Sequence, residues 1–213
     1  DRRIQSSVEP MDDRTNAMSS VFEGLSLNHD PASKKLLVIA QSIKEYISTM
    51  NALEKDPTSN EFFAAIAVTL EGSDRSESPN LICLLNLVLP SVSDKIVSAN
   101  AERVLDAVYE VVEDEGMATN SGEKTKNVSE CLKCIGILLE KIERNLWKRD
   151  SSFRAFDYLL QFCGSQNDIV SNVAMNAVLE NLKEFSRKNS KIDKRFNNPA
   201  SILTKFCAMI FNR

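Results

Sequence analysis

Residues 128–146 read VSECLKCIGILLEKIERNL, and in that stretch Val128, Cys131, Ile135, Leu138, Leu139, Ile142 and Leu146 recur at steps of three and four. Such spacing lays one apolar stripe along a helix and turns the charged residues to the opposite side. Toward the C-terminus, Phe153, Phe156, Leu160 and Cys163 predict a shorter partner helix. Ile169, Val170, Val173, Ala174, Ala177, Val178, Leu182 and Phe185 then give a second long stripe. Pro199 suits the first turn of a last helix through Ile202, Phe206 and Ile210. Toward the N-terminus, Asn100 is expected to cap a helix carrying Val104, Leu105, Val108, Val111 and Val112. The almost wholly apolar Leu81–Leu89 segment follows Pro79, should be buried on most sides, and ends at Pro90. Thr58 and Glu61 spell a capping box ahead of Phe62, Phe63, Ile66 and Leu70. Leu36, Ile39, Ala40, Ile43, Ile47 and Met50 form the earliest clear stripe, and residues 1–31 read as a flexible lead-in with one weak helix around Ala17–Leu25.

The main helices group in twos. Pairs begin near residues 33, 79, 124 and 167, at intervals of about 46, 45 and 43, inside the HEAT and armadillo period of about 40–47 residues. A helix pair of this size cannot bury both of its faces alone, whereas a stack of pairs shares one continuous core. The expected fold class is therefore all-α, an α-solenoid of about four HEAT/armadillo-like helix pairs over 32–213, with repeats at about 33–71, 79–115, 124–163 and 167–211. The competing expectation is an irregular helical bundle whose spacing is even by accident. Because the chain opens Asp1-Arg2-Arg3 without an initiator methionine, it is expected to be an excised piece of something longer.

Composition agrees with helices and narrows the chemistry. Of 213 residues, 43% are apolar and 26% charged, while only 6 glycines, 6 prolines and 7% aromatics argue against a turn-rich β-sandwich. The longest unbroken apolar run, Phe62–Val68, falls far short of the ~20 residues a bilayer span needs, so no membrane partner is expected. Cys83, Cys131, Cys134, Cys163 and Cys207 form an odd set, and each sits in an apolar helical pattern where a free thiol behaves as a small hydrophobe. Cys131 and Cys134 make the sole Cys-x-x-Cys, but zinc needs two further ligands, and the one histidine, His29, lies in the lead-in. That same isolation leaves nucleophilic and general acid-base chemistry without a partner, and no glycine-rich phosphate loop is present. No catalytic residue, metal, cofactor or small-molecule substrate is expected. The serine-rich loop Gly72–Pro79 is a candidate phosphate acceptor beside a helix N-terminus.

Charge is unevenly placed. Residues 1–122 hold 10 basic and 20 acidic side chains and residues 123–213 hold 16 and 10, giving halves of −10 and +6. Lys183, Arg187, Lys188, Lys191, Lys194 and Arg195 are the densest basic stretch, with Lys141, Arg144, Lys148, Arg149 and Arg154 as a second cluster. Two readings stand side by side. The stretch is either a surface that tracks RNA phosphates with salt-dependent affinity, or a set of helix C-terminal cations favoured by the macrodipole, and few aromatics are interleaved for base stacking.

Asn60-Glu61-Phe62-Phe63-Ala64-Ala65-Ile66, closing on Thr69-Leu70-Glu71, resembles a segment of the ribosomal RNA-processing protein twelve family. Leu84-Leu85-Asn86-Leu87-Val88-Leu89, Leu132–Leu139 with the later Trp147, and Lys205-Phe206-Cys207 resemble further segments in the same order, over roughly residues 33–211. The resemblance implies a non-enzymatic HEAT-repeat factor of the nucleolus and nucleus, shuttling to the cytoplasm. It further implies pre-ribosomal particles, above all the small-subunit precursor, ribosome assembly proteins, pre-rRNA, nucleoporins and the Ran GTPase as partners. The rival readings are a transport receptor or adaptor that binds only protein cargo, and a helical domain serving a catalytic region elsewhere in a longer chain.

Overall fold

The computed structural model describes residues 13–51, 56–73, 76–115, 122–142 and 150–189. Eight α-helices run through them: α1 Asp13–Leu27, α2 Pro31–Asn51, α3 Ser59–Gly72, α4 Ser78–Val88, α5 Asp94–Glu115, α6 Gly122–Lys141, α7 Asp150–Cys163 and α8 Asp168–Asn189. A 3-10 turn, Leu89–Ser91, joins α4 to α5 around Pro90. There is no strand among the described residues.

First helices of the pairs start at residues 31, 78, 122 and 168 and form one row, α4 packing between α2 and α6, and α6 between α4 and α8. Helices α3, α5 and α7 form the second row, with α5 laid on α6 and α7 on α8. This two-row stack is the α-solenoid that the periodicity predicts. Its core runs without a break from Met18 to Val178, and Phe62, Phe63, Ile82, Leu85, Leu132, Ile135 and Leu138 are wholly enclosed.

Side-chain hydrogen bonds tie the second pair to the third and the third to the fourth. Asn86 Nδ2 donates to the Glu130 carbonyl and Oε2, both at 2.9 Å, linking α4 to α6. Asn181 Nδ2 donates to the Gly136 carbonyl at 3.0 Å, linking α6 to α8. In the second row the Tyr158 hydroxyl donates to Glu113 Oε1 at 2.6 Å, and back in the first row Asn167 Nδ2, just ahead of α8, donates to Thr125 Oγ1 of α6 at 3.0 Å. The partners lie 42 to 45 residues apart, one repeat length.

Local signals place most helix ends where the residues predict them. Thr58 Oγ1 accepts from the Glu61 amide at 3.3 Å while Glu61 Oε2 accepts from the Thr58 amide at 2.8 Å, so the capping box is complete. Thr58→Ala is expected to cost about 1 kcal/mol in urea unfolding, with little change in the cooperativity of the transition. Pro79 occupies the first turn of α4. Asp30 caps α2 by accepting from the Ala32 and Ser33 amides and the Ser33 hydroxyl, and these bonds, that hydroxyl foremost, hold its carboxyl below the usual range. Its contribution is therefore complete above the ordinary carboxylate pKa and is lost as pH falls through the lowered value.

Two expectations change. Asn100 caps nothing: α5 begins a turn and a half earlier at Asp94, the Ser93 carbonyl accepts from the Ile96 and Val97 amides, and Asn100 Nδ2 bonds Ile96 O at 2.9 Å inside the helix. The buried Val97 and Ala101 extend the apolar stripe upstream, and core packing outweighs the cap preference of an asparagine. Within the expected lead-in, α1 is longer than Ala17–Leu25 and docks, burying Met18 and Leu25 and setting the Phe22 ring edge-on to Phe62 at 5.9 Å between centroids. Residues 1–12, Leu146, Trp147, Cys207 and the expected helix Pro199–Ile210 lie outside the described residues.

Candidate interaction surface

The exposed side of α5 carries a line of like charge. Glu102, Asp106, Glu110 and Asp114 recur at every fourth residue, all exposed, and so line up as a ridge. Like charges at this spacing disfavour a helix by about 0.2–0.5 kcal/mol per pair, and acids in the last turn, where α5 has no basic residue, oppose the macrodipole. Beside the ridge, a groove of about 260 Å³ is lined mainly by α3 and α5, with the apolar Leu70, Ala107 and Val111 and the acidic Asp106 and Glu110 among its lining residues. Arg103 bridges it to Glu71 through two short charge-assisted bonds, which hold the Glu71 carboxyl below its ordinary range and raise the guanidinium. The fourfold spacing of the α5 acids is the sequence signal that marks the ridge.

Two cations of the second basic cluster, Arg154 on α7 and Lys141 on α6, are engaged by residues of the neighbouring pair. Arg154 lies over the Tyr109 ring at 4.6 Å with Glu113 Oε1 3.7 Å away, and the Tyr109 and Tyr158 rings sit 4.6 Å apart. Burial raises the Tyr109 hydroxyl strongly, and burial together with the bond to Glu113 raises that of Tyr158. Lys141, only 16% exposed, donates to the Val92 carbonyl at 2.8 Å, stapling the end of α6 to the preceding pair. Two members of the second basic cluster thus serve the stack itself.

Of the six basic candidates, Lys183 is exposed on α8 and pairs with Glu180 at 2.6 Å. Arg187 and Lys188 continue that helix, their side chains lying outside the described residues together with Lys191, Lys194 and Arg195. Cys131 and Cys134 are buried in the core, and Cys83 and Cys163 half-buried, all as free thiols. Burial pushes Cys83 up to about 11 and Cys134 well above its ordinary value, leaving little thiolate at neutral pH. Among the described residues no group of His, Cys, Asp and Glu could hold a metal ion, and no helix is long and apolar enough to cross a membrane.

Two rows of stacked helices, tied by bonds one repeat long, define an α-solenoid of the HEAT type. A family model described as "RRP12-like, N-terminal HEAT repeats" matches residues 4–205, and the chain belongs to that family. It is 24% identical over 200 residues to the "RRP12-like protein" of Gallus gallus, covering 92% of this chain and 15% of that relative. The chain thus spans a small part of the length of the relative it matches. No solved structure matches it.

Proposed function

We propose that this chain is the non-catalytic HEAT-repeat part of a ribosome biogenesis factor of the nucleolus and nucleus. In this reading it scaffolds pre-ribosomal particles, supports pre-rRNA processing and helps their subunits leave the nucleus. Family membership across nearly the whole chain is the observation that carries this reading. The partners proposed are small-subunit precursors, assembly proteins, pre-rRNA, nucleoporins and the Ran GTPase. For the described faces, the acidic ridge on α5 favours cationic protein segments over RNA, and RNA contact is assigned to Lys183, Arg187, Lys188, Lys191, Lys194 and Arg195. A transport adaptor restricted to protein cargo is the second reading, favoured by the same ridge.

Affinity purification of the full-length protein, with identification of copurifying RNA and proteins, separates the two. Pre-rRNA with small-subunit proteins is expected, and protein cargo without RNA would replace this reading by the adaptor. In the same assay, Asp106→Lys with Glu110→Lys is expected to weaken capture of basic proteins roughly tenfold, about 1.4 kcal/mol, with rRNA crosslinking little changed. Arg187→Glu, Lys188→Glu and Lys191→Glu together should weaken RNA crosslinking and flatten its salt dependence. Unchanged crosslinking would remove the basic stretch from the surface.

A further inference from the structure

The groove beside the α5 ridge joins two unlike surfaces. Leu70 near the end of α3, with Ala107 and Val111 of α5, gives it an apolar lining, while Asp106 and Glu110, one turn apart on α5, add two carboxylates. Among the described residues neither carboxylate has a hydrogen bond or an ion pair. Glu71, the carboxylate that α3 brings to the groove, is already answered by Arg103. Unmatched negative charge therefore lies along the α5 side, directly beside apolar surface. At about 260 Å³ the groove is smaller than the roughly 300–1,000 Å³ of a small-molecule pocket, so its size suits an inserted side chain rather than a cofactor.

We propose that this groove receives an arginine side chain carried on a basic segment of a partner protein. The proposal rests on the reading of the α5 face as a surface for cationic protein segments, and gives that face one anchoring point. Charge complementarity selects the occupant: the aliphatic stem covers Leu70, Ala107 and Val111, and the guanidinium meets Asp106 and Glu110. RNA is disfavoured, since its phosphates would face the same two carboxylates. Arginine is favoured over lysine because its planar fork can engage paired carboxylates and sheds water more readily than an ammonium. Arg103 makes such a contact within the fold, where it reaches Glu71 through two charge-assisted bonds with the side chains 50% and 40% exposed. Glu102 belongs to the ridge but not to the groove lining, so it attracts a basic segment without anchoring it.

Fluorescence anisotropy with the full 213-residue chain and labelled glycine-serine peptides bearing arginine, lysine or uncharged citrulline at the same positions supplies the test. The arginine peptide should bind at least about threefold more tightly than the lysine peptide, and the citrulline peptide should not bind. Asp106→Asn with Glu110→Gln should weaken the arginine peptide at least roughly tenfold, and relief of like-charge repulsion keeps α5 helical. Glu102→Gln with Glu45→Gln removes the same charge from exposed positions outside the groove and should cost less than about twofold. Ala107→Leu, which fills the groove and leaves every charge in place, should weaken binding at least roughly fivefold at unchanged helical circular dichroism. Equal losses in the two charge pairs, or full binding by folded Ala107→Leu, would overturn the groove while leaving the cationic-segment reading of the face intact. Lysine bound as tightly as arginine would overturn the arginine assignment. An oligouridine that binds the parent and is lost in Asp106→Asn with Glu110→Gln would give the groove to RNA. No binding of any basic peptide by the parent would overturn both the groove and the reading on which it rests.

Discussion

Gly136→Leu is expected to destabilise the fold by about 3 kcal/mol, a large part of the 5–15 kcal/mol typical of a domain. Leucine is a better helix former than glycine by nearly ~1 kcal/mol, so helix propensity alone predicts the opposite sign. Packing decides otherwise, because a Cβ at Gly136 would lie 2.9 Å from Ala177 Cβ and 3.6 Å from its Cα. Neither atom is the movable end of a flexible side chain. Any added carbon must push α6 and α8 apart, and that movement stretches the bond from Asn181 to the Gly136 carbonyl, beside which Asn181 is 2% exposed. Stretching leaves a buried donor less well satisfied and adds to the steric cost. Urea unfolding gives the sign directly. Ala177→Gly, harmful by itself, should restore about 1 kcal/mol in the Gly136→Ala background, since removing the opposing Cβ reopens the gap. A Gly136→Leu protein as stable as its parent would show that the two helices do not approach closely at this point.

That contact shows what one sequence conveys and what it withholds. The stripes through Val128, Cys131, Ile135 and Leu138 announce a helix and its inward side, because burial of apolar surface depends on periodicity that can be read along the chain. Thr58 and Glu61 announce a helix start for a similar reason: both partners of the capping box lie within four residues. Gly136 announces nothing, since its role depends on Ala177 and Asn181 across an interface. Lys141 is equally silent: as a sequence feature it joins a basic cluster, but Val92 claims it 49 residues upstream. Asn100 misleads because a cap preference of about 1 kcal/mol is weaker than burial of Val97 and Ala101. The acidic ridge on α5 was legible as spacing, yet its meaning as a surface needed the groove beside it and the internal engagement of Arg103 and Arg154.

Phe62→Ala is the other substitution with a large expected effect, a loss of about 3–5 kcal/mol. The ring is fully buried where α3 meets the core, and truncation removes both its transfer free energy and the contacts around the space left behind. What distinguishes this site from the equally buried Phe63 is its neighbour: the Phe22 ring of α1 stands at 89° to Phe62, 5.9 Å between centroids. Edge-on aromatic pairs contribute about 0.5–1.5 kcal/mol beyond their area, so part of the loss should be shared with α1. A double-mutant cycle with Phe22→Leu isolates that share, and a coupling of about 1 kcal/mol is expected. Lys44 strengthens the linkage by placing its ammonium 5.6 Å from the Phe22 ring, so α1 is held from α2 and α3 together. Hydrogen exchange of α1 amides should accordingly rise in Phe62→Ala before the remaining helices open, whereas Leu138→Ala, distant in α6, should raise exchange around its own repeat first. Coupling near zero between Phe22 and Phe62 would return residues 13–27 to the status of a lead-in lying beside the stack rather than a helix built into it.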